Sequence, residues 1–357
     1  MSTQAAQAAN SNYTLTIEEP GRIGSQLLPI TALGADEVRI ATLYSGISAG
    51  TEMTAFMGTN PYIDKQWNPA SRLFETDTPG WSFPIRAFSY EEVGRIIEVG
   101  ASVTRLAEGQ LIWGAWGHKS QHIASEAWAS QRMLAEGVDP RNGIFSQIGA
   151  IALNAILDAN IHLGEYVAIF GQGVPGLMVT QLAKASGATI IAVDRHDSRL
   201  AHARISGADI TINSAREDAA TRIKKITGGR GADICIEISG AYPALHDAIR
   251  AAAYNSRVVV SGFFQGGGTA LRLGEEFHHN RINLVCSQIS GVSPALDHRW
   301  DRLRLDQTIM RLIAEGRIDF SRLITHTFPA TRAQDAFNVL RDAQQDVLQV
   351  VLQFEEN

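Results

Sequence analysis

The sequence predicts an α/β protein in which a β-rich domain is joined to a doubly wound parallel sheet. Residues 166–290 alternate short apolar strands with helices, which is the pattern of a parallel sheet covered on both faces. Residues 13–130 instead show short alternating or apolar runs broken by Gly and Pro, which is typical of a β-rich domain. The chain has 357 residues, more than one core usually supports, so two domains are expected.

The domain boundaries are predicted from changes in the pattern of apolar residues along the chain. Helix-like apolar spacing begins around Gly143 and is followed by the strand and helix alternation, which predicts a boundary near residue 150. After about residue 300 the chain carries a helix, a strand, a second helix and a last strand, VLQVVLQF, which we expect to return to the first domain. We therefore divide the chain into residues 1–150, 151–300 and 301–357.

Composition excludes several classes of partner. The net charge of −6 arises from 31 basic and 37 acidic residues, and no block of Lys or Arg is present to follow a phosphate backbone, so nucleic acid is not an expected partner. No apolar stretch reaches the roughly 18 residues needed to span a membrane. The N-terminus lacks the basic leader and apolar core of a signal peptide. Together with the presence of only two cysteines, this predicts a cytoplasmic protein.

Both cysteines lie in apolar runs typical of strands. Cys235 belongs to ADICIEIS and Cys286 to INLVCSQIS. A thiol in such a run behaves as a small buried hydrophobe, and we predict that role for both.

A glycine-rich turn predicts a dinucleotide site. It follows the apolar strand YVAIF and opens a helix, which is the context that gives a GxGxxG match its meaning. The first glycine allows the tight turn, the second lets the backbone approach a pyrophosphate, and the third lets the helix pack against its strand. The predicted contacts are Gly171, Gln172, Gly173, Val174, Pro175 and Gly176. The alternative is a glycine-rich turn of a flavodoxin-like domain.

The end of the next strand indicates which dinucleotide binds. Asp194 ends TIIAVD, 18 residues after Gly176, where a carboxylate accepts hydrogen bonds from a ribose hydroxyl and repels a 2′-phosphate. This favours NAD, although Arg195 follows directly and would weaken that repulsion, which leaves NADP possible. Three further residues complete the predicted cofactor set: Arg199, Ser239 and Gly262.

The order of these parts resembles the medium-chain dehydrogenase/reductase superfamily. Its members have a GroES-like catalytic domain, a central Rossmann domain and a C-terminal return to the catalytic domain. Besides the glycine turn, the similar stretches are SGISAGTE at 45–52, YEEVGRIIEVG at 90–100 and LIAEGRIDFSRLITHTFPATRAQDAF at 312–337. Within the superfamily the chain is most similar to the branch of bacteriochlorophyllide a dehydrogenase and its relatives. The resemblance implies a nicotinamide-dependent dehydrogenase.

The chain departs from the zinc-containing members of that superfamily. Ser48 stands nearest to their cysteine ligand, and Tyr90-Glu91 replaces their His-Glu pair. No Cys or Asp lies around Gln147, where the third ligand is expected, and the Cys-rich lobe that holds structural zinc is absent. We therefore expect no zinc. An unorthodox metal site is an open alternative, built from Glu52, Glu91, His118 and His122.

Without zinc, a side chain has to exchange the hydroxyl proton. Tyr90, at the position of a zinc ligand, is our first candidate, as a phenol of lowered pKa; the alternative is a packed tyrosine whose hydroxyl is satisfied. Glu52 is a partner of Tyr90 or the base itself, and Ser48 and Thr51 relay a proton or orient the substrate oxygen. His118 is the alternative base, because an imidazole titrates near neutral pH.

These features predict an NAD-dependent oxidoreductase that interconverts a secondary alcohol and a ketone on a sugar-like, polyol or hydroxyethyl substrate. The alternatives are an NADPH-dependent quinone or enone reductase and a dinucleotide-binding protein without turnover.

A homodimer is expected through the apolar edge strand at 282–290. Several aromatic residues are assigned either to an apolar substrate pocket or to the core of the β-rich domain: Tyr62, Trp67, Phe74, Trp81, Phe83, Trp113 and Trp116.

Overall fold

The computed structural model describes residues 12–76, 78–86, 88–343 and 345–354. The chain divides into two compact units, one formed by Met1–Gln147 with Phe320–Asn357 and the other by Ile148–Asp319. The first is β-rich and the second is an α/β unit with a parallel sheet, as the sequence predicts. No helix of the described residues is long and apolar enough to cross a bilayer.

The elements are numbered in chain order. The strands are β1 (Tyr13–Glu19), β2 (Arg22–Leu27), β3 (Glu37–Ile47), β4 (Gln66–Asn68), β5 (Leu73–Glu75), β6 (Ile85–Arg86), β7 (Glu92–Val99), β8 (Leu111–Gly114), β9 (Gln121–Ser125), β10 (Tyr166–Phe170), β11 (Thr189–Asp194), β12 (Ile210–Asn213), β13 (Ala232–Glu237), β14 (Ala252–Val260), β15 (Asn283–Cys286), β16 (Ile324–Pro329) and β17 (Gln349–Gln353). The helices are α1 (Thr51–Phe56), α2 (Glu126–Ala129), α3 (Phe145–Ala159), α4 (Val174–Ala185), α5 (Asp197–Ile205), α6 (Ala219–Ile226), α7 (Tyr242–Ala251), α8 (Arg302–Ala314) and α9 (Ala333–Asp342). Short helical turns cover Pro61–Ile63, Pro140–Ile144, Leu273–Phe277, Ser321–Leu323 and Ala330–Arg332.

The first unit is organised around β3. Its main sheet has the order β16-β17-β3-β7-β8, and β9 also pairs with β3. Nine of the eleven residues of β3 are buried, because strands lie on both of its edges and apolar side chains cover it. The C-terminal strand β17 runs antiparallel to β3, with Val350 opposite Ile47. An apolar cluster covers this region, and Phe56 packs on Phe337 with ring centroids 5.1 Å apart.

The second unit is the doubly wound sheet. Its six strands have the order β12-β11-β10-β13-β14-β15 and every pair is parallel. The strand order reverses between β10 and β13, and in open parallel sheets ligands bind outside the carboxyl ends of the strands at such a point. The interior strands are continuously apolar, as in Val167–Phe170, because helices cover both faces.

In the structure, the boundaries between the two units lie after Gln147 and after Asp319. The boundaries predicted from the sequence lie after residues 150 and 300. The second difference moves α8 into the parallel-sheet unit. Leu305 and Ile309 of α8 are fully buried. The segment that follows α8 is tied to α4 because the Gln181 amide hydrogen-bonds the backbone carbonyl and N–H of Asp319, at 2.8 and 2.9 Å.

The two cysteines have different environments. Cys235 on β13 is buried and burial raises its pKa, as expected for a small hydrophobe in a central strand. Cys286 is exposed, so the prediction of a buried thiol was wrong there. The reason is topological, since β15 lies at the edge of the sheet and pairs only with β14.

Candidate functional site

The glycine turn lies between β10 and α4, at the carboxyl edge of the parallel sheet. Gly171 follows β10 with a φ of +98°, a conformation that only glycine adopts without strain. Gly173 is the N-cap of α4 and makes no side-chain cap hydrogen bond, so the first amides of the helix are not capped by a side chain. A helix N-terminus with such amides favours an anion.

The three glycines are needed for different reasons. A Cβ on Gly176 would lie 1.9 Å from the carbonyl oxygen of Gly171, so helix and turn pack in direct backbone contact. A Cβ on Gly171 would lie 2.7 Å from the Cβ of Ser239. A Cβ on Gly173 would meet only Nη1 of Arg199, at 3.9 Å. The fold itself therefore leaves room at Gly173, beside a guanidinium group, as a bound pyrophosphate requires.

The other residues of the turn face inward. Gln172 is fully buried; its side-chain amide donates to the carbonyl of Ile169 at 3.2 Å and accepts from Thr180 Oγ1 at 3.0 Å. This side chain stabilises the turn from inside the protein, and the cofactor contact predicted for Gln172 stays a prediction. Val174 is also buried, and Pro175 lies in the first turn of α4, where a missing N–H is tolerated.

Asp194 ends β11 directly beside the turn. Its Oδ2 accepts the backbone N–H of Gln172 at 2.7 Å and its Oδ1 accepts that of His196 at 2.9 Å. These bonds hold the carboxylate in place, and each oxygen retains a lone pair for a further donor such as a ribose hydroxyl. Arg195 is exposed.

Ser239 and Gly262 lie at the neighbouring strand ends and surround a residue that the sequence analysis missed. Glu237 is fully buried at the end of β13, where its Oε1 accepts Ser239 N at 2.8 Å and also the Ser239 hydroxyl. Burial raises the pKa of Glu237 to about 7. A Cβ on Gly262 would lie 2.6 Å from Glu237 Oε2, so Gly262 is required by packing. Glu237 could have been noticed in the sequence, because it is an acidic residue at the end of an apolar strand.

A buried polar cluster occupies one end of the main sheet of the first unit. Ser48 follows β3 and Tyr90 precedes β7, and the Tyr90 hydroxyl donates to Ser48 Oγ at 2.6 Å. Glu52, one turn later on α1, accepts the backbone N–H of Ser48 at 3.0 Å. The structure thus brings together three of the five predicted catalytic residues in one chain of hydrogen bonds.

The fourth, His118, belongs to the same cluster. Its Nε2 lies 2.8 Å from Glu52 Oε2 and its Nδ1 lies 2.7 Å from Ser45 Oγ. Ser45 donates its own proton to Glu92 Oε1 at 3.0 Å, so Nδ1 of His118 has to be the donor to Ser45. Glu52 and His118 then share one proton. Burial raises the pKa of Glu52 and lowers that of His118 to about 4, which places the proton on Glu52.

This arrangement corrects the roles predicted for Glu52 and His118. Their exposed fractions are each 1%, and both oxygens of the carboxyl and both nitrogens of the ring are engaged. Neither group is a free base. Glu52 holds the backbone of Ser48, and His118 holds Glu52.

Tyr90 is the partly exposed member of the cluster. Burial of its hydroxyl raises the pKa of the phenol above its usual value of 10, the neighbouring Glu91 raises it further, and hydrogen bonds with Ser48 and Thr51 offset part of the rise. The lowered pKa predicted from sequence is therefore wrong, and Tyr90 is a neutral hydrogen-bond donor. Thr51, the fifth predicted residue, is half-buried at the start of α1 and next to Tyr90.

Glu91 is also fully buried, and the sequence analysis missed its partner Gln349 of β17. The Gln349 amide donates to Glu91 Oε2 at 3.0 Å, and burial raises the pKa of Glu91. Glu91 and Glu52 do not converge with His118 and His122 on a metal position, because among the described residues the one group with three ligand atoms within 4.8 Å lies elsewhere. The unorthodox metal site stays an untested alternative, since these four residues are not arranged with three ligand atoms within that distance.

The aromatic residues separate into two sets. Trp113 and Trp116 belong to the core, with exposed fractions of 2% and 5%. The interval between α1 and β6 instead contains an aromatic stack, in which Tyr62 lies against Trp81 at 5.1 Å between ring centroids. The β4–β5 hairpin of this interval carries two exposed rings, Trp67 and Phe74.

A parallel sheet with this glycine turn, an acidic residue at the end of the second strand and a separate β-rich unit defines a dinucleotide-dependent oxidoreductase. A family model described as zinc-binding dehydrogenase matches residues 175–302. D-guloside 3-dehydrogenase of Escherichia coli (strain K12) is 32% identical over 301 residues, 82% of this chain and 85% of that protein. An alcohol dehydrogenase of Cupriavidus necator is 30% identical over 391 residues, covering 94% and 96%.

The chain belongs to the medium-chain dehydrogenase/reductase superfamily, which contains the zinc-type alcohol dehydrogenases. It is an enzyme, a dehydrogenase acting on CH–OH groups. The narrower placement beside bacteriochlorophyllide a dehydrogenase stays a prediction.

Solved structures share the fold over almost the whole chain. A zinc-binding dehydrogenase from Sinorhizobium meliloti 1021 bound to NADP has a TM-score of 0.75 at 20% identity and covers 96% of this chain and 99% of its own. A short chain alcohol dehydrogenase from Escherichia coli CFT073 complexed with NADH has a TM-score of 0.73 at 20% identity and covers 97% and 100%. At this identity the likeness concerns the fold.

The contrast between Gly173 and Gly176 gives a testable prediction. Gly173→Ala should leave the free energy of unfolding within about 1 kcal/mol of the parent, because its φ of −73° suits alanine, while weakening dinucleotide binding at least tenfold. Gly176→Ala should cost about 3 kcal/mol or more, because its Cβ overlaps a backbone oxygen. Urea unfolding and cofactor titration by calorimetry measure the two effects. Normal dinucleotide affinity in Gly173→Ala would contradict the assignment of the turn.

Proposed function

We propose that this enzyme oxidises a secondary alcohol of a sugar-like or polyol substrate to a ketone with NAD and without a catalytic zinc ion. The observation that carries the proposal is the 2.6 Å hydrogen bond from the Tyr90 hydroxyl to Ser48 Oγ. These two residues stand where zinc-containing members of the superfamily have a His and a Cys ligand. The guloside specificity in the name of one relative supports a sugar-like substrate.

The donor set at this position does not fit zinc. Zinc sites use thiolate, imidazole or carboxylate ligands. Here the two equivalent side chains are neutral hydroxyls bonded to each other, and the raised pKa of Tyr90 keeps its phenol protonated. The Glu52 carboxyl is engaged with Ser48 and His118. No step of the reaction is therefore assigned to a metal.

The hydroxyl proton of the substrate leaves through the Tyr90 and Ser48 pair. When bound, the nicotinamide ring accepts or returns the hydride. The Tyr90 residue is partly exposed although its hydroxyl is buried against Ser48, and we place the substrate oxygen beside this hydroxyl, where the two would form a hydrogen bond. The substrate hydroxyl would pass its proton to Tyr90 Oη while Tyr90 passes its own proton to Ser48 Oγ, and the serine hydroxyl would release its proton to bulk water, which is the final acceptor. Thr51 lies beside the same phenol. Glu52 fixes Ser48 through its backbone N–H.

NAD is the proposed cofactor, held at the Gly171–Gly176 turn. The gap over Gly173 would take the pyrophosphate, with the guanidinium of Arg199 close by. Asp194 is clamped by two backbone donors at the ribose position and would repel a 2′-phosphate. Since fold neighbours hold NADP in one case and NADH in another, the choice rests on Asp194.

The direct test is an assay of NADH formation with sugar alcohols, glycosides and simple secondary alcohols, on untagged enzyme before and after dialysis against EDTA. We expect turnover with NAD that is unchanged by EDTA, and at least tenfold lower kcat/KM with NADP. Asp194→Ser should narrow that preference, because the negative charge facing the ribose is removed. Loss of turnover on chelation that Zn²⁺ restores, in the parent and equally in Glu275→Gln, would refute the zinc-free mechanism.

Tyr90→Phe tests the proton step. Removing the hydroxyl should lower kcat at least about 100-fold, the usual range for a proton-transfer group, while the NAD dissociation constant stays unchanged. Tyr254→Phe is the matched control, because Tyr254 is 65% exposed on the other unit and should keep full activity. Full turnover of Tyr90→Phe would remove this residue from the mechanism.

We further propose a homodimer formed through β15. This strand pairs with β14 on one side, so its other edge offers backbone groups to a second copy, and Cys286 at its end is exposed. A reducing cytoplasmic location agrees with two free cysteines.

Light scattering of the purified protein tests the dimer. The parent chain should have twice the mass of 38.7 kDa at micromolar concentration. Cys286→Arg should shift it toward the monomer, because two like charges would meet at the paired edges. Ile205→Arg adds the same charge at a residue that is 64% exposed away from β15 and should leave the mass unchanged. A monomeric parent would disprove the proposal.

A further inference from the structure

The parallel-sheet unit carries a second group of chemically competent side chains outside the dinucleotide turn. His246 lies in the middle of α7, and Glu275 and Glu276 lie in the helical turn Leu273–Phe277. Each contributes one ligand atom, and the three atoms lie within 4.8 Å of one another. Within the described ranges no other three His, Cys, Asp or Glu residues converge in this way.

Two atoms of this group are buried without a hydrogen-bond partner. They are Nδ1 of His246 and Oε2 of Glu276. A buried polar atom left unsatisfied costs about 1–3 kcal/mol, so native structures usually give it a partner. An imidazole nitrogen and a carboxylate oxygen are both good metal ligands, so a cation bound by this group would give His246 and Glu276 a partner.

The local charge balance also favours a divalent cation. Glu276 directs Oε1 toward Arg250 at 3.8 Å, which leaves Oε2 for another partner, and Glu275 lies 3.8 Å from Arg272. Arg250 already binds two aspartates at 2.8 Å each. Lys224 also interacts with the charge of Glu276, so three cationic side chains face four carboxylates, an excess of one negative charge: Asp218, Asp247, Glu275 and Glu276.

We propose that His246, Glu275 and Glu276 bind a divalent transition-metal ion of the zinc class. One imidazole and two carboxylates form a mixed nitrogen and oxygen set that suits such ions, and three protein ligands leave a position for water. The site joins α7 to the connection between β14 and β15, so the ion holds that connection against the helix. It is separate from the proposed reaction, which uses no metal.

The test is Zn²⁺ binding by untagged, EDTA-stripped protein, measured by isothermal calorimetry and by thermal shift. We expect one site per chain and a melting temperature that rises with Zn²⁺. Glu275→Gln should weaken binding at least tenfold and abolish the thermal shift, while folding normally because Glu275 is exposed. His246→Gln removes the nitrogen ligand, so it should also weaken Zn²⁺ binding at least tenfold and abolish the thermal shift.

His279→Gln is the control, because His279 is an exposed histidine close in sequence that is not a member of the group. It should bind Zn²⁺ like the parent. Absence of binding by the parent, or binding that persists unchanged in Glu275→Gln, would overturn the proposal. NADH formation is followed separately, so a wrong reaction and a wrong metal site give different results.

Discussion

The backbone contact between Gly176 and Gly171 is the constraint on which the parallel-sheet unit depends. With room for no side chain between them, α4 starts directly on the end of β10. This brings Asp194 within reach of the Gln172 backbone N–H and leaves the space over Gly173 open. The geometry of a ligand site thus follows from a packing requirement.

In the β-rich unit, burial is the main constraint on the polar cluster. Several ionisable groups lie where water cannot solvate their charges, so each has to be neutral or fully hydrogen-bonded. Glu52 and His118 meet this requirement by sharing a proton, and as a result they lose the basicity that their residue types suggest. The Tyr90 residue is partly exposed, and its hydroxyl is bonded to Ser48. The proposal that Tyr90 meets the substrate therefore depends on where each residue is buried as well as on its type.

Membership of the superfamily and the side chains at the site suggest different roles for zinc. The superfamily contains zinc-type alcohol dehydrogenases, yet Tyr90 and Ser48, the positions equivalent to two zinc ligands, hydrogen-bond to each other. In the proposed mechanism, this hydrogen bond between two neutral hydroxyls takes the place of a metal and its ligands and leaves no unpaired charge. On that proposal, the dinucleotide unit of the fold is kept while the proton-transfer group differs.

Local signals were enough to predict the elements, the parallel sheet and the cofactor turn: periodicity, glycine spacing and an acidic residue at a strand end. The superfamily resemblance grouped Tyr90, Ser48 and Glu52. Their hydrogen bonds and pKa values could be read only from the folded chain, since a pKa depends on burial and on partners distant in the sequence, as for His118 with Ser45. The same limit explains Cys286 and Glu237, whose exposure and burial depend on which strand lies at the sheet edge.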